Sequence, residues 1–132
     1  MATGLFSAIG AVFKAMRFAL TRKGVNVGGT AGYPRIEIHT ITESEFLDKS
    51  QSLKRMTCIV ECMSTERMAD VFDMNEENLN RLLTSSLNLD ADWHIVGIEP
   101  GQAQELTEAS ETQTVIYRLM QNVTIFVERL NG

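Results

Sequence analysis

The first 36 residues contain no acidic side chain, although the chain as a whole is acidic, with 12 Lys and Arg against 17 Asp and Glu and a net charge of −5. A general nucleic-acid binder is usually basic, so this balance argues against that class. Cysteine is scarce, with only Cys58 and Cys62. In a strand they would share a side about two pleats apart, too far for an easy disulfide. Neither His39 nor His94 completes a ligand-spaced cluster with them, so two buried, reduced thiols are expected and no metal site. That fits assembly in a cytosolic environment. Long apolar runs are also missing. The uncharged stretch Ala2–Phe13 is closed by Lys14 and Arg17, well short of a ~20-residue membrane span. Its positive charges follow the apolar run, whereas a secretory signal places them before it.

What is present has ordinary globular proportions: 132 residues, 44% hydrophobic and 22% charged. One domain of this size can bury a core without a disulfide or metal staple. The charge is divided unevenly. Lys14, Arg17, Arg22, Lys23 and Arg35 give residues 1–36 a charge of +5. The other seven bases and all 17 acids leave the remainder at −10. Such a split points to an acidic or polyanionic partner, or to an amphipathic helix with a solvated basic face.

Periodicity predicts a first helix from about Thr3 to Thr21, with Leu5, Ile9, Val12 and Met16 on one stripe and Lys14 and Arg17 towards the other side. An interfacial membrane helix and a helix docked on a sheet share this pattern, and the short chain favours docking. Gly24, Gly28, Gly29 and Gly32 mark residues 24–33 as a linker. They lack the Gly-Lys-Ser/Thr ending of a phosphate loop. Pro34–Ile41 alternates as a half-buried strand, with Ile36, Ile38 and Thr40 on one side and Arg35, Glu37, His39 and Ile41 on the other.

Thr42–Ser52 reads as a long polar loop with Phe46 and Leu47 in its middle, placed either to insert into a neighbour or to fold back on its own domain. A second strand follows at Leu53–Met63. Then comes a helix capped by Ser64 or Thr65 and ending near Leu87, its core stripe Met68, Phe72, Asn75, Leu79, Leu82 and Leu83, widened by Val71. Trp93–Glu99 is a third strand, closed by a turn at Pro100-Gly101. Gln102–Thr112 reads as a polar loop or a short exposed helical turn. The last strand covers Gln113–Leu130, with a bulge or bend at Gln121-Asn122.

The expected fold is α+β in the order α-β-β-α-β-β: one domain of residues 1–132 with a mainly antiparallel sheet packed against helices and long β–β loops. It divides into an N-terminal amphipathic helix (1–23), a Gly-rich linker (24–33) and an α+β body (34–132). No nucleophile, base and orienting group share a recognisable spacing, and no dinucleotide fingerprint occurs. Glu76-Glu77 and Asp90-Asp92 look like solvated positions. An enzyme is not expected, nor is a cofactor.

This order of elements resembles the tail-terminator, or tail-completion, proteins of long-tailed bacteriophages and related gene-transfer particles. The matching features are the N-terminal helix, the extended Tyr33-Pro34-Arg35-Ile36-Glu37-Ile38, the long polar loop and the strand Arg55–Cys62. The helix start Ser64-Thr65-Glu66 and the terminal Tyr117-Arg118 strand with Val123-x-Ile125-x-Val127 also fit. The resemblance covers nearly the whole chain and is one of pattern and length. The N-terminal helix has no residue-by-residue counterpart.

The resemblance implies a structural virion protein, assembled in the host cytoplasm and sited at the head-proximal end of the tail. Six copies would form a ring that caps the tail tube, stops its polymerisation and offers a surface for head joining. Its partners would be other copies, the tail tube protein and a neck or head-completion protein, with DNA passing through untightly held and no membrane contact. A head-completion or neck protein is the alternative in the same setting, and a membrane-surface or anionic-ligand module the alternative from another class. The expected interface residues are Phe46 and Leu47 as anchors, Glu43, Glu45, Asp48 and Lys49 around them, and Lys14, Arg17, Arg22 and Lys23 on the basic helix.

Overall fold

The computed structural model describes residues 5–28, 32–46, 53–84, 89, 93–109 and 114–129, with backbone alone for residues 5–8 and 43–46. Helix α1 spans Leu5–Leu20. Val12, Met16 and Leu20 recur every four residues on one side and are fully buried. The helix ends where Thr21 bonds the Arg17 carbonyl through both its amide (3.1 Å) and its hydroxyl (2.7 Å). Gly24, at φ 88°, then turns the chain back.

The linker stretch holds an element that periodicity could not reveal. Asn26–Val27 forms strand β1, parallel to the start of β2 (Arg35–Phe46). The Asn26 amide bonds the Pro34 carbonyl at 3.0 Å and the Gly28 amide bonds that of Ile36 at 2.9 Å. Two residue pairs are too few to leave an alternating pattern in the sequence.

Strand β3 covers Leu53–Ser64, helix α2 Met68–Thr84, strand β4 Trp93–Ala109 and strand β5 Val115–Arg129. The sheet order is β1-β2-β3-β5-β4, antiparallel throughout except for β1. The fold is therefore α+β, with one strand more than expected.

Both helices lie on one face of the sheet. Met56, Cys58, Val60 and Cys62 of β3 point into this core with Leu119, Val123, Ile125 and Val127 of β5. Burying a Leu or Val side chain contributes roughly 1.5–3 kcal/mol, so this layer dominates stability. The core side of α2 is Val71, Met74, Asn75, Asn78 and Leu82. Phe72 and Leu83, expected inside, are 45% and 52% exposed. The helix is rotated so that Asn75 and Asn78 meet polar partners below: Asn75 Nδ2 donates to Gln121 Oε1 (3.0 Å) and Asn78 Nδ2 to Cys62 Sγ (3.1 Å). Before α2, Ser64 Oγ accepts the Glu66 amide at 3.2 Å and donates to Asp70 at 3.1 Å. A hydrogen bond from Arg67 holds the Asp70 carboxyl below its usual range.

Three expectations are corrected. The polar stretch after Ile41 is not loop from Thr42: β2 continues to Phe46, with register shifts between His39 and Thr42 and between Glu43 and Phe46. At the first shift Thr40 takes φ 57°, and the extra residue turns Ile41 from the outer face into the core. Next, Gln102–Ala109 is strand rather than loop or helix. β4 runs 17 residues through Pro100-Gly101 because it is an edge strand, where proline's missing N–H costs no ladder bond. Finally, the irregularity near Gln121-Asn122 sits on the partner strand. β5 keeps continuous register with β3, while β4 shifts between Pro100 and Ala103. Gln121 Nε2 fills that shift by donating to the carbonyls of Gly101 (2.8 Å) and Asn122 (2.9 Å).

Candidate assembly surfaces

The basic residues of the N-terminal segment separate into two groups. Lys14, Arg17 and Lys23 are exposed. Arg22 is half-buried between the helices, donating to Asn78 Oδ1 at 2.9 Å and to the Leu20 carbonyl at 3.1 Å. Burial, and next the charge of Arg81, lower its pKa. Arg22 thus fastens the end of α1 to α2 and is not part of a solvated rim. Beside it, Arg81 reaches the Ala19 carbonyl at 3.4 Å and Glu77 at 2.7 Å. Phe18, on the outer side of α1, is 85% exposed.

Between α1 and the outer edge of β2 runs a groove of ≈ 250 Å³, lined by Phe13, Arg17, Val27, Gly28, Glu37, Ile38 and His39. Gly28 has φ 76°, and a Cβ there would lie 2.8 Å from Arg17 Nε. The glycine is what lets the Arg17 side chain lie across the groove. β1 pairs with only Arg35 and Ile36, so the rest of β2 has no strand on its outer side among the described residues.

Of the expected loop anchors, Glu43, Glu45 and Phe46 lie on the β2 backbone, and their side chains are outside what is described. Leu47, Asp48 and Lys49 lie outside the described residues.

The helix-free face of the sheet carries a feature that the sequence reading missed. Glu61, 4% exposed, sits in the middle of β3. Its carboxylate takes Arg118 Nη1 of β5 at 2.8 Å and His39 Nε2 of β2 at 2.9 Å. Arg118 Nη2 extends the chain to Glu108 of β4 at 2.6 Å. Four strands are stapled by one ionic network. Burial depresses the Arg118 pKa, but the hydrogen bonds to Glu61 and Glu108 outweigh it and the net shift is upward. The available signal was a lone acid among Ile59, Val60, Cys62 and Met63, a position that demands a cationic partner. Arg118 is that partner, and His39, expected as a plain surface residue, adds a hydrogen bond to the same carboxylate.

The far edge of the sheet is β4, the longest strand, unpaired on its outer side among the described residues. It contains Glu99, Glu105 and Glu108 and no Lys or Arg. Gly101–Thr107 are all exposed, and Val96 and Leu106 are exposed at 50% and 44%.

Cys58 and Cys62 are free and buried on the helix face, where burial pushes both thiols up to about 12. Among the described residues no group of three His, Cys, Asp or Glu side chains is placed to hold a metal ion. No described helix is long and apolar enough to cross a membrane.

The described residues form a five-stranded α+β sheet with both helices on one face. In comparisons with known proteins, no family model and no curated protein matches this sequence. The fold does match. A chain from the virion of a native gene transfer agent particle superposes with a TM-score of 0.66 over 90% of this chain and 92% of that one, at 16% sequence identity. The two share a fold along nearly their full length.

Proposed function

We propose that this chain is a structural, non-enzymatic component of a phage-like virion, and within it a tail terminator: a ring, six-fold, that caps the tail tube at its head-proximal end and presents the surface for head joining. The observation that carries this reading is the match to a virion chain over nearly the whole of both proteins. The open sheet edges support it, since exposed strand edges seek a partner. So does the uneven charge, because the acidic excess beyond residue 36 suits a wall that passing DNA does not grip.

Electron microscopy of the purified protein, alone and mixed with tail tubes, is the decisive test. Rings with a central pore that seat on tube ends and halt their growth are expected. Monomers both free and on tubes would overturn the ring. Rings that bind an isolated head connector but never a tube end would replace the terminator with a neck protein.

A further inference from the structure

The two open edges of the sheet differ in chemistry. One is the α1–β2 side, where Arg17 lines the groove together with Glu37, itself paired with Arg35 at 3.7 Å, and where α1 and the turn after it add the exposed Lys14 and Lys23. The other is β4, with three glutamates and no base. They lie at opposite ends of the strand order, because α1 packs on β2 and α2 while β4 closes the far side. Each edge also leaves an apolar side chain in water, Phe18 on the first and Leu106 on the second.

We infer that the chain binds a second copy of itself head to tail, the β4 edge of one copy seating against the α1–β2 edge of the next, with Glu105 of the first meeting Arg17 on the basic α1 of the second. This rests on the ring-forming reading and specifies its interface. Three geometric facts support it. The two surfaces are different and lie at opposite ends of the sheet, so the contact is heterologous and propagates past a dimer, to a ring where the rotation between copies closes. Alternation along β2-β3-β5-β4 makes β2 and β4 antiparallel. A rotation keeps the direction of strands that run along its axis, so with the sheet upright in the ring β4 meets the neighbour's β2 in the antiparallel sense without any strand reversing. Lastly, directly opposed residues of an antiparallel pair share a face. Glu105 opposes Leu119, whose side chain is in the helix-side core. Glu105 therefore points to the side of the sheet that carries α1, where the neighbour's Arg17 would meet it.

The test uses the full chain. Glu105→Lys and Arg17→Glu each place like charges at every interface, and each is expected to raise the concentration needed for assembly about tenfold or more at physiological salt. The difference from the unmodified protein should shrink in 1 M salt, where screening is nearly complete at ~3 Å. Mixing the two variants in equal amounts restores every contact, half as native pairs and half as swapped pairs, so assembly should return. Both sites are exposed, and circular dichroism confirms folding. Sedimentation and microscopy read the outcome. Single variants that assemble like the unmodified chain, or a mixture that stays dissociated, overturn this interface even if rings form. An unmodified chain that never self-associates overturns both this inference and the ring.

Discussion

Neighbouring residues on β5 show how differently the two faces of the sheet are built. Leu119 turns into the helix side, opposite Cys62, as part of the apolar core. Arg118 turns the other way and ties Glu61 of β3 to Glu108 of β4. The helix face is stabilised by burial, which is non-directional and tolerates repacking. The opposite face depends on charge pairing with fixed geometry, which is costly when one partner is removed. The first holds the helices on. The second ties four strands to one another.

Breaking the first face should have the largest effect. Leu119→Ala removes a side chain only 1% exposed, at a cost of about 3 kcal/mol read from the urea midpoint at constant slope. On the second face, Arg118→Ala leaves Glu61 buried with only His39 beside it. It should cost about 2 kcal/mol, less than a fully enclosed pair because Arg118 is itself partly solvated. Replacing both partners together, Glu61→Leu with Arg118→Leu, should return most of that loss. If the double variant is no better than Arg118→Ala, the network acts by shape rather than charge.

A smaller effect sharpens the comparison from the side of acidity. Both thiols on the helix face are raised from 9.0 to about 12 by burial. A raised thiol favours the protonated, folded state. The stability it contributes is complete below pH 9 and is lost as pH rises towards 12. Alkaline unfolding should therefore be flattened by Cys58→Ala with Cys62→Ala. Alkylation of either thiol at pH 8 should require unfolding, since the reactive species is the thiolate.

How much was legible depended on how many residues carried each signal. The apolar spacing of Leu5, Ile9, Val12 and Met16 marked α1, and the run Leu53–Met63 marked β3, because each repeats one choice over several turns or pleats. β1 involves two residue pairs and left no pattern. The register shift at Thr40 left none either, and it reversed the side on which Ile41 was expected. On α2, Asn75 is buried as its place on the stripe implied, but Phe72 and Leu83 turn outward while Asn78, which was not on the stripe, turns in, because Cys62 and Arg22 supply its partners from other segments. Of the candidate interface residues, Lys14, Arg17 and Lys23 lie exposed as expected, while Arg22 is drawn into the fold by carbonyl and amide acceptors on other segments.

The sequence by itself determined the α+β class, the helix-side core of β3 and β5, and the separation of positive from negative charge along the chain. Each of these is set by residues close together, through burial preference and simple counting. Tertiary structure alone decided that the polar run after Pro100 is a strand, that Glu61, His39 and Arg118 form one network, and that the basic α1 and the acidic β4 lie at opposite ends of one sheet. Those outcomes depend on which strands lie beside one another, and pairing is set by the summed fit of residues as far apart in sequence as Leu53 and Glu128, which no local window contains.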